Sequence, residues 1–276
     1  MNPIRKVSDA VNAVFYGIAL FGLAGTLQIA QVSSFILRPF SERLVMRINS
    51  HIVGLVWKTM QVIFERTKKA HITFSGDQIP SGESALVISN HRSWTDFYML
   101  HSVAIRRRML QNCKYFVKDS IKWLPFFGWG MWLAGFIFVR RNWLQDQEKI
   151  HATFATIKRL KSPAWIISYA EGSRFTPAKL AEIPDHQVDF TIAYRHRSTN
   201  KFQEAPNMVR VHTRALSPEY DFHINVKRFA IEDLPTDDEA LTLWLRNRYV
   251  EKDLFLSKLR ENWTDGLEEP VWDEPL

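Results

Sequence analysis

Residues 85–100 read ALVISNHRSWTDFYML: an apolar run stops at Ser89, a histidine follows at position 91, and an aspartate sits five residues after it. An imidazole and a carboxylate in one short turn can act together. Asp96 can accept a hydrogen bond from one ring nitrogen of His91, which fixes the tautomer and stabilises the imidazolium; the other nitrogen is then a general base. The pair brings no nucleophile of its own. Ser93 lies between the two and gives a rival serine-hydrolase reading, but it lacks the glycine-flanked elbow that exposes such a serine. A base without its own nucleophile suits an enzyme that deprotonates a hydroxyl of its substrate. None of the other eight histidines has an aspartate at this spacing. An isolated histidine is ordinarily structural; His91 differs because it lies just past a strand end, where ligand sites of α/β sheets gather.

A second cluster follows another apolar run, in AWIISYAEGSR. Gly172 allows close backbone approach, Ser173 can donate, and Arg174 can grip a phosphate bidentately. Glu171 can position Arg174 or bind a substrate hydroxyl. Arg140 and Arg141 close a third run, FIFVRR, and bring more positive charge to a strand end. The bland alternatives are a loop salt bridge and a solvated strand end.

These groups meet only if strands carry them to one edge. ALVISN and AWIIS are short, continuous and β-rich, the mark of strands covered on both faces. AHITFSGD (70–77) and KYFVKD (114–119) also read as strands, and TDFYMLHSVAI and LQDQEKIHATFATIKRLK have helical spacing. The alternation predicts an α/β domain with a mixed, mostly parallel sheet flanked by helices. Beyond Arg174, VDFTIAYRH, NMVRVHTRAL and YDFHINVKRFAI read as β-rich segments. A long helix opens at Thr236, where Thr236 and Glu239 have capping-box spacing, and GLEEPVWDEPL reads as a loose surface strap.

The chain has 276 residues, a net charge of +7, ten tryptophans and one cysteine. One cysteine leaves no disulfide framework and no cysteine zinc cluster, and Cys113 reads as a small core residue. The basic balance favours anionic partners; no nucleic-acid motif accompanies it, and Arg106, Arg107 and Arg108 read as a solvated or headgroup-facing cluster. No charge occurs from Val11 to Leu37, a stretch of about 40 Å as a helix, long enough to span a bilayer. This predicts an N-terminal membrane helix; a cleaved signal peptide is the rival, and the run is long for one. A second helix over 50–71, with Ile52, Val56, Met60 and Ile63 on one face, fits a membrane-associated or a core helix equally. The expected organisation is anchoring helices over 1–66, the catalytic domain over 67–262 and a tail over 263–276.

NHRSWTD, GFIFVRRN and EGSRFT together resemble the first three sequence blocks of the glycerophospholipid acyltransferases, which include lysophosphatidic acid, lysophosphatidylinositol and lysocardiolipin acyltransferases. The likeness runs from about Val11 to Leu180 and resumes at VDFTIAY. It implies that His91, assisted by Asp96, deprotonates the free hydroxyl of a lysophospholipid, which attacks the thioester of acyl-CoA. It implies that Arg174, with Glu171, Gly172 and Ser173, binds the lipid phosphate, with a contribution from Arg140 or Arg141. It implies no metal and no cofactor beyond acyl-CoA as co-substrate. It also implies a membrane location, in the endoplasmic reticulum, with the catalytic domain toward the cytosol; Asn262, in an NWT triplet, then stays unglycosylated. The family's fourth block has no counterpart between Leu180 and Phe190. Its loss predicts an open acceptor site and a sheet missing a part, and gives the alternative of a catalytically impaired lipid-binding relative.

Overall fold

A computed structural model describes residues 3–140, 142–169 and 186–276. Among these residues, eight strands form one sheet in the order β1-β8-β6-β2-β5-β3-β4, with β7 paired to the end of β6. They are β1 (Ile72–Gly76), β2 (Ala85–Ser89), β3 (Cys113–Lys118), β4 (Ile137–Val139), β5 (Trp165–Ser168), β6 (His186–His196), β7 (Lys201–Phe202) and β8 (Tyr220–Ala230). β6, β2, β5, β3 and β4 run parallel, β8 is antiparallel to β6, and β1 is parallel to β8. The expected mixed, mostly parallel sheet is therefore present. β2 and β5 are buried along their whole length, as runs without polar alternation require.

Alternate residues of the strands feed two cores. Val87, Ile167, Val188, Phe190 and Tyr194 face α2 (Glu42–Val62) and α3 (Asp96–Arg106); Leu86, Ile88 and Ile166 face α5 (Trp143–Leu160) and α7 (Asp238–Glu261). The missing fourth block costs the sheet nothing among the described strands. β6 pairs with β2 over five residues, from Ala85 opposite His186 to Ser89 opposite Phe190. The expected gap is corrected; the acceptor-site half of that expectation falls on residues 170–185, outside the described residues.

Four local expectations are also revised. NMVRVHT is a short helix, α6 (Met208–Thr213), because Asn207 caps it by accepting from the Arg210 N–H at 2.8 Å; the cap outweighs the β-branched alternation of Val209, Val211 and Thr213. α7 is capped one residue later than expected, by Asp237 accepting from the Ala240 N–H. The tail is docked: Phe74 and Trp272 exchange two backbone hydrogen bonds, at 2.7 and 2.8 Å, which covers the exposed edge of β1. Arg106 is not solvated but forms a buried pair with Glu65 at 2.7 Å.

α2 is a core helix, with Val53, Val56, Trp57 and Met60 buried. Across it lies Lys114, buried on β3, donating from Nζ to Ser50 Oγ at 2.9 Å and to the Ala134 carbonyl. Burial pushes the ammonium down from 10.5 to about 8. The unfolded chain therefore binds more protons between those values, and stability rises with pH from about 8 to 10.5. Lys114→Met is expected to remove that rise, as read by chemical unfolding at pH 7.5 and pH 10.

α1 (Pro3–Ser33) is long and apolar enough to cross a membrane. One face of it lies along the domain for its whole length. Asp9 pairs with Arg214 at 2.7 Å, Asn12 donates to the Thr213 carbonyl, Phe21 meets Phe127 edge-on, and Gln31 donates to the Gly130 carbonyl. Gly25 lies against Phe126, where a Cβ would make ordinary contact, and Gly17 and Gly22 face open space. The opposite face, with Val11, Val14, Ile18 and Ile29, is exposed, and so are Trp129 and Trp132 on the neighbouring α4 (Phe127–Leu133).

Candidate active site

β2 ends at Ser89 and the chain turns at once into α3. Asn90 makes that exit rigid: its side chain donates to the Ile192 carbonyl at 2.9 Å and accepts from the Ile192 N–H at 2.8 Å, so it pairs with β6 as a further strand residue would. His91 follows. Its Nδ1 lies 2.8 Å from Asp96 Oδ2, and the same oxygen accepts from the Arg92 and Ser93 N–H groups at 2.6 and 2.8 Å. Asp96 Oδ1 accepts from the Tyr194 hydroxyl at 2.6 Å. Asp96 is fully buried, and these four donors, with the N-terminus of α3 in whose first turn it sits, compensate a carboxylate there.

Because a carboxylate only accepts, this bond puts the His91 proton on Nδ1 and leaves the lone pair on Nε2. The His91 side chain is 51% exposed while its partner is at 0%. A half-open imidazole on a buried carboxylate can take a proton from an incoming hydroxyl. Tyr169, the residue after β5, stacks on the ring at 4.2 Å between centroids and limits its tilt. Thr95 fixes the turn from below by donating to the Pro206 carbonyl at 2.5 Å. Ser93 is used within the turn: its hydroxyl accepts from the Thr95 N–H at 3.3 Å.

Register brings the ends of the neighbouring strands to the same edge. Ile88 lies opposite Ser168, so β2 and β5 end level, and β3 and β4 run parallel beside them. Arg140 follows β4 directly; its N–H donates to Asp146 Oδ1 at 2.9 Å and its guanidinium stands 3.9 Å from Asp119. Lys122 hydrogen bonding and the charges of Lys122, Arg140 and Lys149 hold the Asp119 carboxyl below its usual value. Arg141, Glu171, Gly172, Ser173 and Arg174 lie outside the described residues. No group of three or more metal-ligating side chains occurs among the described residues.

Sequence reading missed Asn90, Tyr169 and Tyr194. Asn90 and Tyr169 could have been found, since each adjoins a motif at a strand end. Tyr194 is 98 positions from Asp96, and no spacing announces it. Burial and the neighbouring Asp96 carboxylate push the Tyr194 hydroxyl well above its usual ionisation range, so it stays a donor.

Two family models match the chain in succession, the acyltransferase domain over residues 71–199 and the acyltransferase C-terminus over 218–269. Among curated relatives, 1-acyl-sn-glycerol-3-phosphate acyltransferase 3 of Arabidopsis thaliana is 27% identical, over 92% of this chain and 75% of its own. The probable 1-acyl-sn-glycerol-3-phosphate acyltransferase 5 of the same plant is 26% identical, over 84% of this chain and 68% of its own. Lysocardiolipin acyltransferase 1 of Mus musculus is 26% identical, over 75% of this chain and 62% of its own. No solved structure matches the chain significantly. The first of the two matched segments contains the His91–Asp96 turn and the second contains the whole of the helix packed behind it, and on those matches the chain belongs to the glycerophospholipid acyltransferase family and is an O-acyltransferase.

Proposed function

We propose that this chain moves an acyl group from acyl-CoA to the free hydroxyl of a lysophospholipid, with lysophosphatidic acid and lysophosphatidylinositol as the leading acceptors. The observation that carries the reading is the 2.8 Å bond between a half-exposed His91 and a buried Asp96 at the edge of the sheet. His91 Nε2 takes the proton of the lysolipid hydroxyl. The oxygen attacks the thioester carbonyl, the C–S bond breaks, and the CoA thiolate takes the proton back from the imidazolium. Arg174 with Glu171, Gly172 and Ser173, helped by Arg140 or Arg141, holds the acceptor phosphate. The reaction needs no metal and no resident cofactor.

The test is acyl transfer by the purified full-length chain in phospholipid vesicles, with labelled oleoyl-CoA and a panel of lysolipids. Label in a diacyl phospholipid supports the reading. Free fatty acid released without any lysolipid, and lost in Ser93→Ala, points to a hydrolase instead. Binding of lysolipid with no turnover points to a catalytically impaired relative.

The same reading puts α1 in the plane of the membrane, in the endoplasmic reticulum, with the sheet on the cytosolic side where acyl-CoA is supplied. α1 is tied to the domain from Asp9 to Gln31, so upright insertion would carry the α6 end and the α4 end of the domain to opposite sides of the bilayer. Its exposed apolar face continues into Trp129 and Trp132, an amphipathic aromatic edge suited to the interface. With Ile4→Cys and Leu37→Cys made separately, both thiols are expected to react with an impermeant maleimide from the same side of sealed vesicles. Labelling from opposite sides would mean that α1 crosses.

A further inference from the structure

β6 contributes more to the turn than a neighbouring backbone. Of the two Asp96 oxygens, Oδ2 faces the turn and takes three donors, His91 Nδ1 and the N–H groups of Arg92 and Ser93. Among the described residues, Oδ1 takes Tyr194 alone. A carboxylate that is free to rotate about its last torsion can offer either oxygen in many directions. A donor on Oδ1, placed on a rigid strand, removes that freedom. Tyr194 is such a donor. It is fully buried, pairs with Phe222 in the β6–β8 ladder, and its backbone N–H is held by the Gln203 side chain at 3.3 Å.

We propose that Tyr194 is a positioning residue of the acyl-transfer reaction: by donating to Asp96 Oδ1 it aims the carboxylate at His91 and sets how firmly the pair holds a proton. This rests on the reading of His91 as the general base. A hydroxyl that donates to Asp96 draws electron density from the carboxylate, which then grips the imidazolium less tightly. Without that donor the imidazolium is better stabilised, and His91 stays protonated to higher pH. A buried tyrosine also needs a partner merely to satisfy its hydroxyl, and a purely structural role would change stability or KM without moving the pH dependence.

Among the described residues, Tyr169 stacks on the imidazole at 4.2 Å between centroids, and burial with the charges of Asp96 and Cys113 holds its hydroxyl well above the usual ionisation range. Arg92 turns its guanidinium to the Gln203 carbonyl at 3.3 Å. Glu171 and Arg174 follow Tyr169 within five residues of sequence. All of these are unchanged in Tyr194→Phe, so a shift in that variant reports the lost hydroxyl.

The experiment is the pH profile of kcat for the full-length chain in vesicles, with saturating oleoyl-CoA and lysophosphatidic acid, for wild type, Tyr194→Phe and His91→Ala. Tyr194→Phe is expected to move the acid limb up by about one pH unit and to lower kcat about tenfold at pH 7, with KM for both substrates unchanged. Incorporating 3-fluorotyrosine at position 194 keeps the shape, strengthens the donor and is expected to move the limb the other way; it also serves if the phenylalanine variant does not fold. An unmoved acid limb in either folded variant, with His91→Ala inactive, overturns the proposal and leaves the base reading standing. An active His91→Ala overturns both.

Discussion

Replacing His91 with alanine is expected to lower kcat for acyl transfer about a thousandfold, within the range that a positioned general base contributes. Binding of the lysolipid is expected to change little, because the ring nitrogen that acts on the hydroxyl does so in the transition state rather than in the ground state. Asp96→Asn is expected to fall nearly as far by a different route. An amide in place of the carboxylate can donate to His91, which permits the wrong tautomer, and it can no longer balance an imidazolium. It also faces the Arg92 and Ser93 N–H groups and the Tyr194 hydroxyl, all of which now donate to Asp96. Single-turnover assays with preloaded oleoyl-CoA separate the cases: both variants are expected to bind the thioester and fail at its transfer. Full activity in His91→Ala would end the general-base reading. Ser93→Ala is expected to retain activity, since its hydroxyl serves the Thr95 N–H within the turn.

The His91–Asp96 pair was legible in sequence because both residues belong to one local turn, five positions apart, between a run that can only be a buried strand and a run with helical spacing. The same holds for β2, β5 and β8, whose β-branched and aromatic stretches leave little choice of structure. What lay beyond reach was held by distance. Tyr194 meets Asp96 across 98 positions, and the exit of β2 is fixed by Asn90 on Ile192, 102 positions away. A strand reading of VDFTIAY says that one face is buried, not which side chain on it ends against a carboxylate. α6 was misread for a local reason: Val209, Val211 and Thr213 alternate like a strand, but the Asn207 cap starts a helix there. The lost fourth block led to an expectation of a broken sheet because motif spacing was taken as strand spacing. β6 instead lies directly on β2, and the edge that carries His91 has a neighbour on both sides.

Lys252→Met is expected to destabilise the folded chain by about 3–5 kcal/mol, the usual cost of leaving one charge of a buried pair alone. Lys252 on α7 pairs through Nζ with Asp189 on β6 and also donates to the Phe190 carbonyl at 3.0 Å; the side chains are only 2% and 5% exposed. In Lys252→Met the Asp189 carboxylate loses this cation inside the layer between the sheet and α7. Lys252→Met combined with Asp189→Leu removes both charges together and is expected to regain most of the loss, as buried pairs replaced by well-packed apolar residues do. Chemical unfolding of the purified chain in detergent measures both; equal destabilisation in the single and double variants would mean that the pair is not the source. The position gives the pair a second consequence. Asp189 stands opposite Ile88 and Phe190 opposite Ser89 in the β2–β6 ladder, and Tyr249, one turn before Lys252 on the same helix face, donates to the Ser89 carbonyl at 3.4 Å. Two residues later comes His91. α7, which lies wholly in the second matched segment, thus grips the sheet where the His91–Asp96 turn leaves it. If that grip aims His91, the double variant is expected to recover stability before it recovers kcat, because methionine and leucine can refill the layer without restoring the polar hold on the β2–β6 seam.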